Sequence, residues 1–569
     1  MKFIFVSGGV ISGLGKGIIT SSLSLLLKDL GFKVAPVKID MYLNMDAGTL
    51  RPQEHGETFV LKSGLETDQD MGNYERFLGE DLPRENYITT GQIYAEVIRK
   101  ERSFEYGGTT VEAIPHLTDE VMRRIKSAGE AMKADIVIVE LGGTITLQEI
   151  QNRIFIEAAR IMKLKNPGDV IHIHVSYLPF VKSVGELKSK PAQTSVYILN
   201  SMGIQPDFVF ARSEIPLDKK RAEKVALFCN IFPEDLILSP DLPSIYEVPL
   251  LFDQQHAAEK ICQKLNLKPE TKGKVMPEWS RMVSGINKAE KEVTIAVAGK
   301  YYKVGDFHLA DSYVSVVEAL KHAAAQLGLK INLRWVDTEE LTEDGNTAEK
   351  LFAKISGLIV PQGWGNRGVE GKIKAVQYAR ENKIPYLGLC FGMQMAVIEF
   401  ARNVAGLKKA NSQEVDPKTS QPVIHIMKDQ EKYLAKRQYG GTIRLGQWPT
   451  KIFNKLRIVP SKVEGQISNF NECYNKYKNF CGGYYKNGVI MERHRHRYEF
   501  NPKYRKLMER KGLRVVGISP DGKLIEAIEL PDHPFFVGTQ YHPELQSRPL
   551  NPHPLFLGFL EAASKQENR

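Results

Sequence analysis

"SGGVISGLGKGIITSS", residues 7–22, lies between the apolar run FIFV at 3–6 and the run LSLLL at 23–27. Strand, glycine-rich turn and helix in that order form the opening of a βα unit. Its turn is suited to an anion, because glycine N–H groups can wrap phosphate oxygens and the helix N-terminus adds a partial positive charge. A Walker A loop reads G-x-x-x-x-G-K-[ST], its final hydroxyl holding Mg²⁺. Here Gly9 stands one residue too early and Gly17 takes the place of the hydroxyl. The stretch therefore predicts a phosphate loop with its metal held from elsewhere. The alternative is a glycine-rich strand-to-helix turn without a ligand.

Further apolar runs, VAPVKID, DIVIVELGG, DVIHIHVSYLP and DFVFA, alternate with amphipathic segments up to about residue 265. That alternation predicts a mostly parallel sheet with helices on both faces and ligands at the carboxyl ends of its strands. The stretch 266–291 is polar and broken by Gly and Pro, so it reads as a linker with some helix in its second half. Periodicity restarts with VTIAVAG, a helix near 311–327, INLRWVD, GLIVPQG and PYLGLC. The expected fold class is α/β, with two doubly wound domains at 1–265 and 292–569. The insertions MKDQEKYLAKRQ and NECYNKYKNFCGGYYKNG have no assigned place in this scheme.

At 569 residues the chain exceeds what one hydrophobic core usually supports. Its net charge of +10 arises from 77 basic and 67 acidic residues interleaved along the sequence. With no stacking-aromatic module, such a surplus suits polyanionic small molecules better than nucleic acid. No apolar stretch approaches the roughly 18 residues of a membrane span, and no secretory signal is evident. Five cysteines without metal-ligand spacing fit a reducing compartment. The expectation is a cytoplasmic protein with neither nucleic acid nor membrane as partner.

"PYLGLCFGMQMAVIEFA" places Cys390 between a strand and a helix, flanked by Gly388 and Gly392. Small neighbours permit a tight nucleophile elbow, and the helix N-terminus favours a thiolate. "TQYHPELQS" supplies a base and an orienting carboxylate in His542 and Glu544. A packed, inert cysteine is the plain alternative. For the metal, Glu140 ends the strand-like run DIVIVE, while "ETDQDMGNYERF" carries Asp68 and Asp70. His494 and His496 in "ERHRHRYEF" would share one strand face, but no third ligand is near them in sequence.

The motifs "SGGVISGLGKG", "VKIDMYLNMDAGT", "EHGETFVL", "ETDQDMGNYERF", "TTGQIYAEVIRKER", "GELKSKPAQTSV" and "ALFCN" closely resemble the N-terminal amidoligase domain of CTP synthases over 1–265. The resemblance implies a dethiobiotin synthetase-like fold, with Ser12, Gly13, Leu14, Gly15, Lys16, Gly17 and Ile18 around the ATP phosphates. It further implies phosphate contacts from Lys38 and Mg²⁺ ligation by Asp70 and Glu140. The UTP triphosphate would meet Ser12, the segment Lys188, Ser189, Lys190, Pro191, Ala192 and Gln193, and also Lys224. From 292 to 565 the elbow, HPE and "NSQE" resemble class I glutamine amidotransferases. That likeness implies Cys390 as nucleophile, His542 as base and Glu544 as its orienter. It also implies glutamine contacts from Gly363, Phe391, Gly392, Met393, Gln394, Glu414 and Arg497, the last gripping the α-carboxylate in a bidentate pair.

The implied activity is ATP-dependent amination of UTP at C4 to CTP, a step of pyrimidine nucleotide biosynthesis, with ammonia released from glutamine. The family also implies GTP as activator, CTP as product and inhibitor, and a homotetramer able to form filaments. The alternatives are a divergent paralogue using free ammonia or another substrate, and a nucleotide-binding filament or regulatory protein. Three departures bear on these. Gln362 replaces the first glycine of the usual V-P-G-G-F-G; in a left-handed backbone site it would cost about 1–2 kcal/mol and weaken glutamine use. "ITLQEIQN" replaces the usual V-G-D-I-E-S in a stretch that in the family helps bind CTP, which predicts altered feedback; whether Gln148 and Glu149 replace the lost acids is left open by the sequence. Met41, Arg51 and Glu112 also differ from the common pattern.

Overall fold

The computed structural model describes residues 1–569 except 10, 147–150, 184, 271–272, 302, 305–306, 309, 342–345, 428–429, 437, 454–467, 482–484 and 567–569. Two compact units divide the chain: Met1–Ala47 with Asp70–Ser280, and Gly48–Gln69 with Arg281–Arg569. Gln148 and Glu149, with half of the divergent CTP-related stretch, lie outside the described residues.

The first unit is built on seven parallel strands: β1 (Lys2–Gly8), β2 (Val34–Asp40), β3 (Tyr87–Thr89), β4 (Ile136–Leu141), β5 (Val170–Leu178), β6 (Phe208–Ser213) and β7 (Leu236–Pro240). Their order is β7-β6-β5-β1-β4-β2-β3. Near-continuous apolar runs belong in such a sheet because helices cover both faces, and β2 and β4 are buried at every position. The helices that matter for the site are α1 (Lys16–Asp29), α2 (Gln69–Leu78), α3 (Lys190–Ser201) and α4 (Lys219–Phe228). α1 is apolar nearly all round, as a helix packed deep in a domain should be. Lys38 of β2 and Glu140 of β4 are register partners, so their side chains leave the sheet side by side at its carboxyl edge.

Beneath the loop that follows β1 lies a buried polar network. Ser7 Oγ meets His172 Nε2 at 2.7 Å and His174 Nδ1 at 2.9 Å, and His174 Nε2 reaches Ser195 Oγ of α3 at 2.9 Å. Burial holds both imidazoles neutral, with His174 pushed down to about 3. Because each group is satisfied, the network fixes α3, and with it the preceding segment 188–189, against the central strands. Val275–Lys288 is helical, and its Trp279 is buried against Phe77 and Tyr246, donating to the Tyr246 carbonyl at 2.8 Å.

The main sheet of the second unit has ten strands among the described residues: β8 (Lys291–Gly299), β9 (Leu329–Asp337), β10 (Gly357–Val360), β11 (Tyr386–Leu389), β12 (Arg444–Ile452), β13 (Tyr485–Lys486), β14 (Val489–His496), β15 (Arg514–Ile518), β16 (Ile525–Glu529) and β17 (Phe536–Thr539). The order is β9-β8-β10-β11-β17-β16-β15-β12-β14-β13. The first five in that order pair in parallel and the remainder antiparallel. The doubly wound pattern thus covers half the sheet, and the antiparallel half begins in the region whose insertions gave no periodic signal. Helices α5 (Val314–Leu327) and α6 (Phe391–Asn403) pack on the parallel half.

Residues 48–69 belong to this second unit, although the sequence places them inside the first α/β pattern. A short antiparallel pair, Phe59–Val60 with Glu66–Thr67, is tied down by Arg493 Nη1 donating to the Val60 carbonyl at 2.9 Å and by Gln447 N donating to Lys62 O at 3.0 Å. Among the described residues no helix is long and apolar enough to cross a membrane.

Candidate active sites

Gly15 caps α1 in a left-handed conformation, φ 80°, which turns the loop onto the helix N-terminus. Ser12 and Gly13 are exposed at its tip and Leu14 is buried beneath it. Lys16 Nζ donates to the Gly143 carbonyl at 2.9 Å, and Lys38 Nζ bridges Asp70 Oδ2 at 2.5 Å and Glu140 Oε1 at 2.9 Å. A Cβ added to Gly17 would lie 2.1 Å from Asp70 Oδ1. Asp70 thus stands where a Walker-type hydroxyl would project, and glycine at 17 leaves the room.

Burial pushes the Glu140 carboxyl up, with Lys38 opposing, and Tyr74 donates a hydrogen bond to its second oxygen. Burial also acts on Asp70, but Lys38 outweighs it and the net shift is downward. Desolvation lowers the Lys16 ammonium, while Asp40 is raised by burial. Two lysines, 16 and 38, therefore face three carboxylates, at 40, 70 and 140, so an added divalent cation would offset the excess negative charge. Among the described residues no three His, Cys, Asp or Glu side chains form a metal-sized group. The donor set instead fits Mg²⁺, which takes one or two carboxylates and completes its shell with phosphates and water.

The segment proposed for a second triphosphate opens α3. Lys188 pairs with Glu186, whose carboxyl is lowered chiefly by Lys188, with Arg221 and Lys224 adding to the effect. Lys188 and the exposed Lys224 of α4 are thus gathered about one carboxylate, together with Arg221, which the motifs did not single out. Ser189 and Gln193 bond to each other at 2.9 Å, Pro191 occupies the first turn, Lys190 is exposed and Ala192 is buried.

In the second unit the thiol and the imidazole meet because β11 and β17 are neighbours, Leu389 pairing with Thr539, so both chains leave the sheet at one edge. Cys390 has φ 50°, a strained value for a residue with a side chain, and its N–H donates to Thr539 O at 2.7 Å. Gly392 is required next to it, since a Cβ there would sit 1.9 Å from the Val360 carbonyl. Cys390 Sγ accepts from Gln540 Nε2 at 3.5 Å. His542 Nδ1 bonds Glu544 Oε1 at 2.7 Å, and its Nε2 is buried without a hydrogen bond. Burial disfavours the imidazolium, yet the charges of Glu544 and Cys390 prevail and raise His542 to about 10.

One cavity collects Cys390, His542, Gly363, Phe391, Gln394, Glu414 and Arg497, while Gly392 and Met393 are buried in the first turn of α6 and do not line it. Glu414, raised by burial, accepts from Gly365 N at 2.6 Å. Arg497 is 4% exposed; Nη2 donates to Thr442 Oγ1 at 2.9 Å and Nη1 is buried with no partner. Trp364, Arg495, Tyr498, Gln362 and His496 complete the walls. Sequence reasoning did not assign the first three, although the RHRHRY alternation does place Arg495 and Arg497 on one strand face. His494 and His496 bond each other at 3.0 Å and are buried and neutral, a structural pair and not two arms of a metal site.

Gln362 departs from its expectation. It is absent from the residues of positive φ, so it carries no left-handed strain. Its side chain instead donates to Glu57 Oε1 at 2.9 Å.

A phosphate-loop α/β unit joined to a second α/β unit with a thiol elbow defines the class: an amidoligase fused to a class I glutamine amidotransferase. Comparisons with known proteins narrow it. Residues 2–267 match the family described as CTP synthase N-terminus, and residues 308–562 match glutamine amidotransferase class-I. A CTP synthase of Caldanaerobacter subterraneus subsp. tengcongensis is 48% identical over 99% of this chain and 98% of its own length. One of Sulfurisphaera tokodaii is 46% identical over 99% of both. The solved glutaminase domain of Trypanosoma brucei CTPS with bound acivicin is 35% identical, covering 48% of this chain and 94% of that one, with a TM-score of 0.41. The chain belongs to the CTP synthase family. It is a glutamine-hydrolysing ligase that uses ATP to convert UTP to CTP in pyrimidine biosynthesis.

Proposed function

We propose that ammonia is released at Cys390 and consumed in the unit that holds the phosphate loop. The observation that carries this reading is the left-handed thiol elbow sharing a cavity with an imidazole already paired to a buried carboxylate. Cys390 Sγ attacks the side-chain amide carbon of glutamine, and backbone N–H groups at Gly363 and at Phe391, the first residue of α6, receive the developing oxyanion. His542 takes the thiol proton of Cys390 and passes it to the departing nitrogen, the C–N bond breaks and ammonia leaves. Water then hydrolyses the thioester to glutamate and free thiol. Arg497 holds the α-carboxylate with its unpartnered Nη1.

At the other centre the γ-phosphoryl of ATP moves to O4 of UTP, and ADP leaves. Ammonia adds at C4 and expels phosphate, giving CTP. Lys16 and Lys38 stabilise the transferred charge, while Lys188 to Gln193 and Lys224 hold the UTP triphosphate. Asp70 and Glu140 would hold Mg²⁺, which would neutralise charge on the phosphates. The family resemblance supports GTP as activator, CTP as inhibitor and a homotetramer, and the absence of disulfides among the five cysteines suits the cytoplasm. The test is CTP formation from ATP, Mg²⁺ and UTP with either glutamine, with and without GTP, or an ammonium salt. No CTP from either nitrogen source would refute the reading.

A further inference from the structure

The cavity that holds Cys390 has a neighbour. Pro52, Glu57, Tyr301, Ser312 and Leu545 line a second cavity, and Gln362, Trp364, Arg495 and His542 line both. These four side chains are therefore the wall between the two spaces. Three of them are held by other interactions: His542 by Glu544, Arg495 by Glu66 at 2.8 Å, and Trp364 by the Arg495 guanidinium stacked 5.5 Å from its ring. Gln362 is the uncharged amide of the wall, held by a single side-chain hydrogen bond to Glu57.

Its orientation follows from its partner. Glu57 is a carboxylate and can only accept, so the Gln362 NH₂ faces it and the amide oxygen points away. Glu57 is itself fixed, its other oxygen accepting from Ser315 N at 2.9 Å in the first turn of α5, where a helix N-terminus favours an anion. On the backbone side, Lys372 Nζ donates to the Pro361 carbonyl at 2.8 Å. Gln362 Oε1 is consequently a buried acceptor without a donor, a costly arrangement for an amide unless a transient donor visits it. Ammonia is such a donor: small, uncharged and carrying three N–H bonds.

We propose that Gln362 is a gate between the thiol pocket and the adjoining cavity: tethered to Glu57, its amide closes the wall against water and offers Oε1 to ammonia as it departs. This rests on the release of ammonia at Cys390. It assigns Gln362 a positioning role in coupling the two half-reactions.

The experiment supplies amide-¹⁵N glutamine, ATP, Mg²⁺ and UTP in buffer containing unlabelled ammonium chloride, and reads the ¹⁵N fraction of CTP and the glutamate-to-CTP ratio. The intact protein should give mostly ¹⁵N-CTP and close to one glutamate per CTP. Gln362→Ala should lower the ¹⁵N fraction and raise the ratio several-fold. Gln362→Met keeps the bulk but loses tether and acceptor, and should shift both readings in the same direction. Wild-type values in both variants would overturn the proposal. Unlabelled CTP from the intact protein would instead overturn the underlying release of ammonia at Cys390, and this proposal with it.

Discussion

Asp70 occupies the space of the side chain that Gly17 lacks, its Oδ1 only 2.1 Å from where a Cβ on that glycine would sit. Restoring the Walker hydroxyl by Gly17→Ser should therefore harm nucleotide use, by displacing Asp70 and its contact with Lys38. Overpacking of this kind costs about 1–3 kcal/mol. Kinetics at varied ATP should show a higher half-saturation and slower synthesis with glutamine and with ammonium alike; wild-type ATP saturation would count against Asp70 as the hydroxyl's replacement.

Cys390→Ala should abolish CTP formation from glutamine while leaving that from ammonium salt, because the thiol acts only on the amide. Paired assays at saturating ATP and UTP read this directly. Loss of both activities would assign the elbow a folding role.

The His542–Glu544 pair should carry a pH signature. An unperturbed histidine titrates near 6.5, and here the folded value is raised to about 10. A raised folded value contributes stability that is fully present below the unfolded pKa and is lost as pH climbs through 10. Melting temperatures should separate the parent from Glu544→Gln clearly at pH 6, with the gap narrowing as pH approaches 10. A gap that widens with pH would contradict the assignment.

Arg497→Ala should raise the half-saturation for glutamine by about ten- to a hundredfold, the scale of a lost charge-assisted hydrogen bond of about 1.5–3 kcal/mol. Ammonium-supported synthesis provides the internal control. An unchanged response to glutamine would move the α-carboxylate elsewhere.

Lys224→Ala, at an exposed position of α4, should alter stability by less than about 0.5 kcal/mol yet weaken saturation by UTP. Arg221→Ala gives a parallel test of the third cation beside Glu186. If neither substitution shifts the UTP response, the triphosphate lies away from α4.

The parallel strands and the elbow were legible because each is written locally: buried parallel strands are continuous apolar runs, and a G-x-C-x-G turn needs its glycines adjacent to the thiol. Asp70 opposite Gly17 was legible only through the resemblance, since no spacing rule links a loop to a helix more than fifty residues on. The antiparallel half of the second sheet was not legible, because β12 and β14 hold register through pairing with each other and carry mixed polar faces. Nor was the Gln362–Glu57 bond, between residues 305 positions apart, or the membership of residues 48–69 in the second unit. Such contacts are set by tertiary proximity alone.

That last membership has a consequence on the ribosome. Val60 emerges early, but Arg493, whose guanidinium caps its carbonyl, follows 433 residues later. At about 5–20 residues per second, roughly 20 to 90 s of synthesis separate the two. Through that interval the hairpin has no home strand, so the nascent chain must carry an unclaimed β-forming segment in a form that neither misfolds nor captures a neighbour.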